Sequence, residues 1–253
     1  MNRLKISVAS ICIFIATNFA SALPSGNIDD YKILTELYPP YNFVFDGKLQ
    51  GISVDILSEI LKDMGAKKNI ETVEINPWAR AYNAVQKKEN IMLFSTTRIP
   101  ERENFFKWVG PITNTSTGLI AKKSAKIKIN SPQDIEKYKI GVVTDDVADL
   151  LIQKLIKDQS KISRASLIEN VTLQLKSDRV NLIGFETIGL AWEMKKMGLD
   201  PNDYETVFVL EDGELYFAFS KETPDALIKA TQASLDKIKS TKEYQEIVKK
   251  YIG

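Results

Sequence analysis

The sequence predicts an α/β protein with a largely parallel sheet. Short apolar runs typical of strands alternate along the chain with segments whose apolar residues recur at helical spacing. The same alternation restarts near residue 139, so the pattern occurs in two successive parts of the chain. Alternating strands and helices favour parallel pairing, because each helix carries the chain back across the sheet.

The first part of the chain contains three predicted strands and two predicted helices. A strand over residues 31–37 ends at Tyr38-Pro-Pro-Tyr41, where two prolines exclude both a helix and a central strand. Apolar spacing after Gly51 predicts a helix with Ser53 as a possible N-cap and Gly65 as its C-terminal stop. A strand over 70–75, a helix from 76 to about 88 and a strand over 90–94 follow.

The second part repeats this organisation and ends in two helices. Residues 204–210 and 215–220 are predicted to be paired strands around the turn signal Asp212-Gly213. The remaining predicted strands cover 117–121, 139–143 and 181–185, and the remaining helices cover 146–157, 166–176, 187–197, a long segment after residue 223, and 241–251, with a further helix start at 131–134.

The first 22 residues have the order of regions found in a secretory signal peptide. Residues 2–5 are basic, residues 6–19 are mostly apolar, and Ala20-Ser-Ala22 is a small-x-small cleavage site. No run reaches the ~18 apolar residues of a good membrane span. Cys12 lacks the small residue usually found before a lipid-modified cysteine. We therefore expect an exported protein, located in the periplasm, that begins near Leu23 and is not inserted in the membrane.

The composition of the mature chain excludes several kinds of chemistry. The full sequence has no histidine, and its one cysteine, Cys12, lies in the predicted leader, so the mature chain has neither residue. Cysteine nucleophiles, histidine triads and the common zinc sites are therefore excluded. Removal of residues 1–22 leaves 32 basic against 33 acidic groups. The sequence has no basic patch that would indicate binding of nucleic acid. We expect no metal and no cofactor, and carboxylate, lysine or tyrosine chemistry stays open.

A segment rich in hydroxyls, arginines and aromatics, residues 95–111, is the candidate anion clamp. The sequence predicts that residues 95–98 emerge from a sheet end into a loop and that Pro100 opens a short helix carrying Arg102. The planar donors of arginine match a carboxylate, and neighbouring hydroxyls can fill its remaining lone pairs. The alternative is that Arg102 pairs with a neighbouring acid, Glu101 or Glu103.

Five short motifs, in this order, resemble the family 3 extracytoplasmic solute-binding proteins, the receptors of polar amino acid uptake systems. They are an aromatic-Pro-aromatic loop after the first strand, a Gly-x-x-x-Asp helix opening, a Thr-Pro-Glu-Arg-like clamp, an Ile-Gly-Val strand and an acid that closes a strand. In this chain they read Tyr38-Pro-Pro-Tyr41, Gly51-Ile-Ser-Val-Asp55, Arg98-Ile-Pro-Glu-Arg102, Ile140-Gly-Val142 and Phe185-Glu186.

The resemblance implies the type II periplasmic binding protein fold. Two α/β lobes are then joined by two crossing strands that act as a hinge, with the ligand in the cleft between the lobes. The lobe boundaries expected from it are 23–115 plus 219–253 for lobe 1 and 116–218 for lobe 2. Independently, the carboxyl ends of strands in open α/β sheets are where ligands bind.

The resemblance also implies roles for particular residues. Arg102 holds a ligand carboxylate with help from Ser95 and Thr97, and Glu186 holds the ammonium. Tyr38 and Trp78 cover the ligand side chain, through cation–π or flat packing. The alternatives are ordinary packing for the aromatics and a helix N-terminal acid for Glu186.

Two departures from the family pattern concern the ligand. Arg98 is an additional cation, which suits a more acidic or larger ligand. Thr144-Asp-Asp146 stands where amino acid receptors commonly have Gly-Thr offering donors to a carboxylate. If Asp146 faces the cleft, ligands with one carboxylate should bind more tightly than dicarboxylates. If it faces away, it is only an N-cap.

These features predict a solute-binding protein and not an enzyme. It should act as a monomer that delivers a small polar solute, an amino acid or a related compound, to an inner-membrane ABC permease. Two alternatives share the same scaffold. One is an enzyme similar to cyclohexadienyl dehydratases, with Glu186 as acid or base. The other is a soluble sensor module for a membrane signalling protein.

Overall fold

The computed structural model of the chain describes residues 26–252. The predicted leader, including Cys12, lies outside the described residues. None of the described helices is long and apolar enough to cross a membrane.

Strands and α-helices alternate over most of the described chain. The strands are β1 (Lys32–Thr35), β2 (Phe43–Phe45), β3 (Lys48–Gln50), β4 (Glu74–Ile75), β5 (Ile91–Thr97), β6 (Phe106–Lys122), β7 (Ile140–Val143), β8 (Ile162–Ala165), β9 (Leu182–Glu186) and β10 (Tyr204–Ser220). The helices are α1 (Ile52–Asp63), α2 (Trp78–Lys87), α3 (Val147–Leu155), α4 (Ile168–Lys176), α5 (Thr187–Lys196), α6 (Asp225–Lys239) and α7 (Lys242–Ile252).

Eight strands form one sheet in the order β4-β1-β5-β10-β6-β9-β7-β8. β4, β1 and β5 are parallel to one another, as are β9, β7 and β8. Between these two groups lie the antiparallel strands β10 and β6. We call the β4-β1-β5 group with its helices the first lobe and the β9-β7-β8 group with its helices the second lobe. This architecture confirms the predicted α/β class and the two-lobed fold with two crossing strands.

The crossing strands β6 and β10 are 17 residues long each and pair along their whole length. Asp212 lies opposite Ser116 and Gly213 opposite Thr115. The predicted hairpin at Asp212-Gly213 is therefore wrong, because β6 supplies a continuous partner to both parts of β10 and no turn is needed. The predicted lobe boundaries stay predictions. β10 pairs with β5 of the first lobe from Leu215 onward, which is before the predicted return of the chain to lobe 1 at residue 219.

Three local predictions also differ from the structure. Residues 70–72 form a 3-10 turn, because the Asn69 side chain accepts the N–H of Glu71 at 3.0 Å. α1 begins after Gly51 and not at Ser53; a Cβ at Gly51 would lie 2.4 Å from the carbonyl oxygen of Tyr41. β5 continues to Thr97, so the expected loop begins later.

The apolar core continues from one lobe into the other. The larger cluster combines the first lobe with residues of the second, including Val143, Phe185 and Leu190. The rings of Tyr38 and Phe185 lie 5.6 Å apart in an edge contact. A smaller cluster fills the second lobe around Val142 and Ile152. Apolar side chains of the two lobes are therefore in contact at the cleft, which lies at the carboxyl ends of the parallel strands.

Candidate ligand cleft

Polar side chains follow the carboxyl ends of the parallel strands in both lobes. Glu36 follows β1, the Trp78 helix follows β4, and Arg102 lies five residues after the end of β5. In the second lobe, Asp145 and Asp146 follow β7, and Glu186 ends β9. Carboxyl ends of parallel strands meet at one edge of a sheet. The connectivity therefore brings these groups to facing sides of the cleft.

The guanidinium of Arg102 is buried and held from several sides. Its side chain is 1% exposed. Nη1 donates to the carbonyl oxygen of Thr97 at 3.2 Å, and Nη2 donates to that of Asp145 at 3.0 Å. The guanidinium carbon lies 5.0 Å from the ring centroid of Trp78 and 5.1 Å from that of Tyr82. Cation–π contacts of this kind stabilise a desolvated arginine.

The backbone at Asp145 connects the two lobes. Its φ of 61° lies in the left-handed region, which is uncommon for a residue other than glycine. Its carbonyl oxygen accepts Nε1–H of Trp78 at 2.8 Å in addition to Nη2 of Arg102. Two donors of the first lobe thus converge on one acceptor of the second.

Glu186 is buried at the start of α5 and receives donors from both lobes. Its carboxylate accepts the N–H groups of Ile188 at 3.2 Å and Gly189 at 2.6 Å. The hydroxyl of Tyr41, from the first lobe, donates to it at 3.2 Å. Burial outweighs these donors and raises the pKa of Glu186 to about 7. The carboxylate is therefore an N-cap that also faces the opposite lobe.

Two further carboxylates lie near the guanidinium. Burial raises the pKa of Asp146, and the positive charge of Arg102 opposes this rise. Burial also raises the pKa of Glu36 well above its usual value, and the negative charge of Asp146 adds to the effect. Asp146 is the N-cap residue of α3, and the backbone N–H groups of Val147 and Ala148 also oppose the rise of its pKa. Glu36 and Asp146 thus lie close enough to Arg102 to interact with its charge, and Glu186, like Asp146, lies close to Tyr38. We call these three carboxyl groups the acid cluster.

A cavity of about 240 Å³ lies between the lobes, and Glu36 is the one member of the acid cluster that lines it. Its walls are mostly apolar, with carboxyl groups at intervals. The lining residues include Glu36, Asn76, Pro77, Val143, Phe185 and Glu193. Its volume is just below the 300–1,000 Å³ of pockets for drug-sized ligands, so it suits a smaller solute. A larger groove of about 1200 Å³ runs along the crossing strands and α6 and α7, and neither Arg102 nor Asp146 lines it.

Six of the eight residues predicted for the site lie together at the contact between the lobes, Thr97 through its backbone carbonyl group. Tyr38 packs on Phe185 and is close enough to Glu186 and Asp146 for both charges to raise the pKa of its hydroxyl, after burial as the main cause. Arg102 pairs with neither of its neighbouring acids, because Glu103 binds Arg98 and Glu101 binds Lys154. The other members are Trp78, Thr97, Arg102, Asp146 and Glu186.

The other two predicted residues lie apart from this group. Ser95, inside β5 with φ 60°, donates to the side chain of Asn42. Arg98 forms a two-bond ion pair with Glu103 at 2.6 and 2.8 Å and lies 5.2 Å from the ring centroid of Tyr216. Arg98 therefore lines the larger groove and does not add a cation beside Arg102.

Sequence reasoning missed three contributors to the cleft. They are Glu36, Tyr41 and the carbonyl group of Asp145. Glu36 lies near the carboxyl end of the predicted strand over residues 31–37, and Tyr41 closes the aromatic-Pro-aromatic motif, so the sequence placed both near a strand end where ligands bind. The direction of the Asp145 carbonyl depends on its φ, for which the sequence gives no sign.

Comparisons with known proteins show similarity in sequence and in fold. The sequence profile described as bacterial extracellular solute-binding proteins, family 3, matches residues 32–253. A probable histidine-binding protein of Neisseria gonorrhoeae is 22% identical over 241 residues, covering 92% of this chain and 87% of that protein.

Two solved structures show the same fold. An ancestral arginine-binding protein bound to arginine has a TM-score of 0.73 at 22% identity, covering 88% of this chain and 98% of that one. A histidine kinase sensor domain with similarity to periplasmic binding proteins has a TM-score of 0.76 at 15% identity, covering 88% and 96%.

Proposed function

Because the chain belongs to the bacterial extracellular solute-binding proteins of family 3, we propose that it captures a small cationic solute, an amino acid or a related compound, for an ABC importer. The observation that carries the cationic preference is the acid cluster: Glu36 and Asp146 lie near the guanidinium of Arg102, and Glu186 lies at the same contact between the lobes. Opposite charges within a low-dielectric cleft attract strongly, and a cationic solute reduces the excess of negative charge.

Two of the similar proteins support the same class of solute. One is named as a probable histidine-binding protein, and the other is an arginine-binding protein bound to arginine. Both of these amino acids have side chains that carry or can carry a positive charge. An anionic amino acid would instead add negative charge beside the acid cluster.

Within the cleft, Glu186 is the proposed partner of the solute's ammonium group. Tyr38 and Trp78 provide aromatic surfaces on the other side. Arg102 as the partner of a ligand carboxylate stays a prediction; each of its Nη atoms donates one of its two N–H groups to a backbone carbonyl group. Ser95 and Thr97, in the last part of β5, contact the Asn42 side chain and Arg102 respectively and are proposed to support the site indirectly.

The proposed mode of action is closure of the lobes on the solute. The contacts of Asp145 with Trp78 and Arg102, and of Tyr41 with Glu186, join the two sides when the cleft is shut. In the proposed uptake route, residues 1–22 direct export of the protein, and a permease then receives the closed protein with its solute. Uptake of the labelled solute by cells with and without the protein tests this last step.

Calorimetric titration tests the proposed function. Arginine, lysine or histidine should bind one to one, without chemical change when the mixture is followed by NMR, whereas aspartate and glutamate should not bind. Glu186→Gln should weaken binding at least tenfold. Glu74→Gln, which removes an exposed acid paired with Lys32, should not change it. Tightest binding of a dicarboxylate, or turnover of the solute, would contradict the proposal.

A further inference from the structure

Taking the proposed function as its basis, we propose that Asp149 is a positioning residue for closure of the cleft. Its carboxylate holds the backbone of Asp145, whose carbonyl oxygen accepts hydrogen bonds from the first lobe. Arg164 in turn holds the carboxylate. The pair of Asp149 and Arg164 therefore acts on the bound solute indirectly, by making its release slower.

The carboxylate of Asp149 is buried and receives donors from three residues. It lies in the first turn of α3 and is 1% exposed, although aspartate is rarely buried to this degree unless it is paired. Nε of Arg164 donates to both carboxylate oxygens at 3.0 Å, and Nη2 lies 2.8 Å from Oδ1. Oδ1 also accepts an N–H of the Gln153 amide at 2.9 Å. These contacts hold the carboxylate in one orientation.

The third donor is the backbone N–H of Asp145, 3.1 Å from Oδ2 of Asp149. This hydrogen bond holds the peptide plane before the Cα of Asp145. The plane after it is held by the N–H of Asp146, which donates to the carbonyl oxygen of Val143 at 3.2 Å. Because peptide planes are rigid, holding both planes fixes φ and ψ of Asp145. Asp149 is thus one of two anchors of its left-handed conformation, with φ 61°.

That conformation directs the carbonyl oxygen of Asp145 to the first lobe. Nε1 of Trp78 and Nη2 of Arg102 donate to it at 2.8 and 3.0 Å. A strained backbone conformation persists only where the surrounding structure holds it. Loss of the Asp149 carboxylate should therefore weaken the contact between the lobes, although every group that takes part in that contact is still present.

Strand β8 fixes the same turn within the second lobe. Arg164 lies on β8 opposite Val142 of β7. The next residue, Ala165, accepts the N–H of Thr144 at 2.9 Å and its hydroxyl at 3.2 Å. All of these contacts lie within the second lobe, so they do not depend on closure. An acceptor that is already in place lowers the ordering cost when the lobes meet.

The variant Asp149→Ala tests the inference, with arginine as the probe. It removes the acceptor of the Asp145 N–H, and Arg164, whose side chain is 33% exposed, can still reach water. Arginine should dissociate about three- to tenfold faster in stopped-flow measurements and associate within about twofold of the wild-type rate, because changes at a contact act mainly on release. The control Asp178→Asn breaks an exposed ion pair with Lys122 in the same lobe, at φ 57°, which asparagine tolerates, and should change neither rate.

A double-mutant cycle tests whether Asp149 acts through the Asp145 carbonyl group. Trp78→Phe should weaken arginine binding about two- to tenfold in the wild type. On the Asp149→Ala background it should weaken binding by less than about twofold, since residues that act through a shared partner are not additive. A purely structural role of Asp149 would give independent losses, and full additivity would overturn the inference.

Exchange of the indole N–H groups with water, followed by NMR, tests the positioning without any solute. Asp149→Ala should speed exchange at Trp78 and leave Trp108 unchanged, because the Trp108 indole donates within the first lobe. Failure of arginine to bind the wild type would contradict the proposed function, whereas unchanged exchange at Trp78 would overturn the positioning role. If Asp149→Ala does not fold, Arg164→Gln replaces it and should show the same changes to a smaller extent; wild-type exchange and release in that variant would likewise overturn the inference.

Discussion

The indole Nε1–H of Trp78 donates to the carbonyl oxygen of Asp145 at 2.8 Å, across the contact between the lobes. Trp78 begins α2 in the first lobe, and Asp145 precedes α3 in the second. A hydrogen bond between groups on opposite sides of a cleft exists only when the cleft is shut. This pair therefore stabilises the closed form relative to the open form.

Trp78→Phe tests the contribution of this contact. Phenylalanine keeps an aromatic surface but has no N–H, so the closed form loses one neutral hydrogen bond worth about 0.5–1.5 kcal/mol. The affinity for the best cationic ligand should fall about two- to tenfold by calorimetry. Trp108→Phe is the matched control, since its indole donates within the first lobe to the Glu103 carbonyl at 3.4 Å. Equal losses in both variants would contradict the assignment.

Gly189→Ala should hinder closure by crowding. A Cβ at residue 189 would lie 2.9 Å from the carbonyl oxygen of Pro39 and 3.2 Å from the ring of Tyr38, both in the first lobe. Overpacking of this kind costs about 1–3 kcal/mol, so affinity should drop by about five- to a hundredfold. Small-angle X-ray scattering with ligand should show a more open molecule than the wild type. Gly26→Ala, with no atom within 4 Å of the added Cβ, is the control; wild-type compaction of Gly189→Ala would count against the closed geometry.

Arg102→Gln should lower the stability of the ligand-free protein. Removing the guanidinium takes its charge away from the nearby carboxyl groups of Asp146 and Glu36 and its hydrogen bonds away from two backbone carbonyl groups; a charge-assisted hydrogen bond contributes about 1.5–3 kcal/mol. Arg98→Gln breaks a partly exposed ion pair with Glu103 and should cost under about 1 kcal/mol. Urea unfolding of both variants measures the difference. Similar unfolding free energies for the two would show that Arg102 is not a buried counter-charge.

The stability of the ligand-free protein should fall as pH rises from about 5 to 7. The pKa of Glu186 is about 7 in the folded protein against an ordinary 4.5, so between these values the folded state binds more protons than the unfolded state. The free energy of unfolding then decreases with rising pH, by about 3 kcal/mol for this group. Glu36 and Asp146 act in the same direction. Unfolding at several pH values should show a flatter profile for Glu186→Gln, and an unchanged profile would refute the assignment.

Ligand affinity should have the opposite pH dependence. A cation binds the ionised form of Glu186, so protonation below pH 7 competes with binding. Arginine keeps its charge throughout this range. Its affinity should therefore rise between pH 5.5 and 7.5 and level off above. Calorimetry in buffers of different ionisation enthalpy should detect proton release at pH 6, and proton uptake instead would contradict the role of Glu186.

The fold class and much of the site could be predicted from local signals. Strand ends such as those before Tyr38 and Glu186 are marked by proline and by the change of hydrophobic period, and Gly65 and Gly198 end helices with positive φ as expected. These signals depend on a few neighbouring residues. The folded protein therefore has these strand and helix ends where the sequence predicts them.

Other features depend on contacts between distant residues. β10 passes straight through Asp212-Gly213 because β6 lies alongside it, although the dipeptide alone favours a turn. Arg98 and Arg102 look alike in the sequence, but Glu103 pairs with the first and leaves the second to the lobe contact. The orientation of the Asp145 carbonyl likewise depends on its partners in the first lobe.

Native mass spectrometry of the mature protein, offered an equimolar mixture of arginine, agmatine, leucine and glutamate, tests the central claim most directly. The account predicts one-to-one adducts of the two cations and no adduct of glutamate. Dominant adducts of leucine or glutamate would contradict the claim that the acid cluster selects a cation.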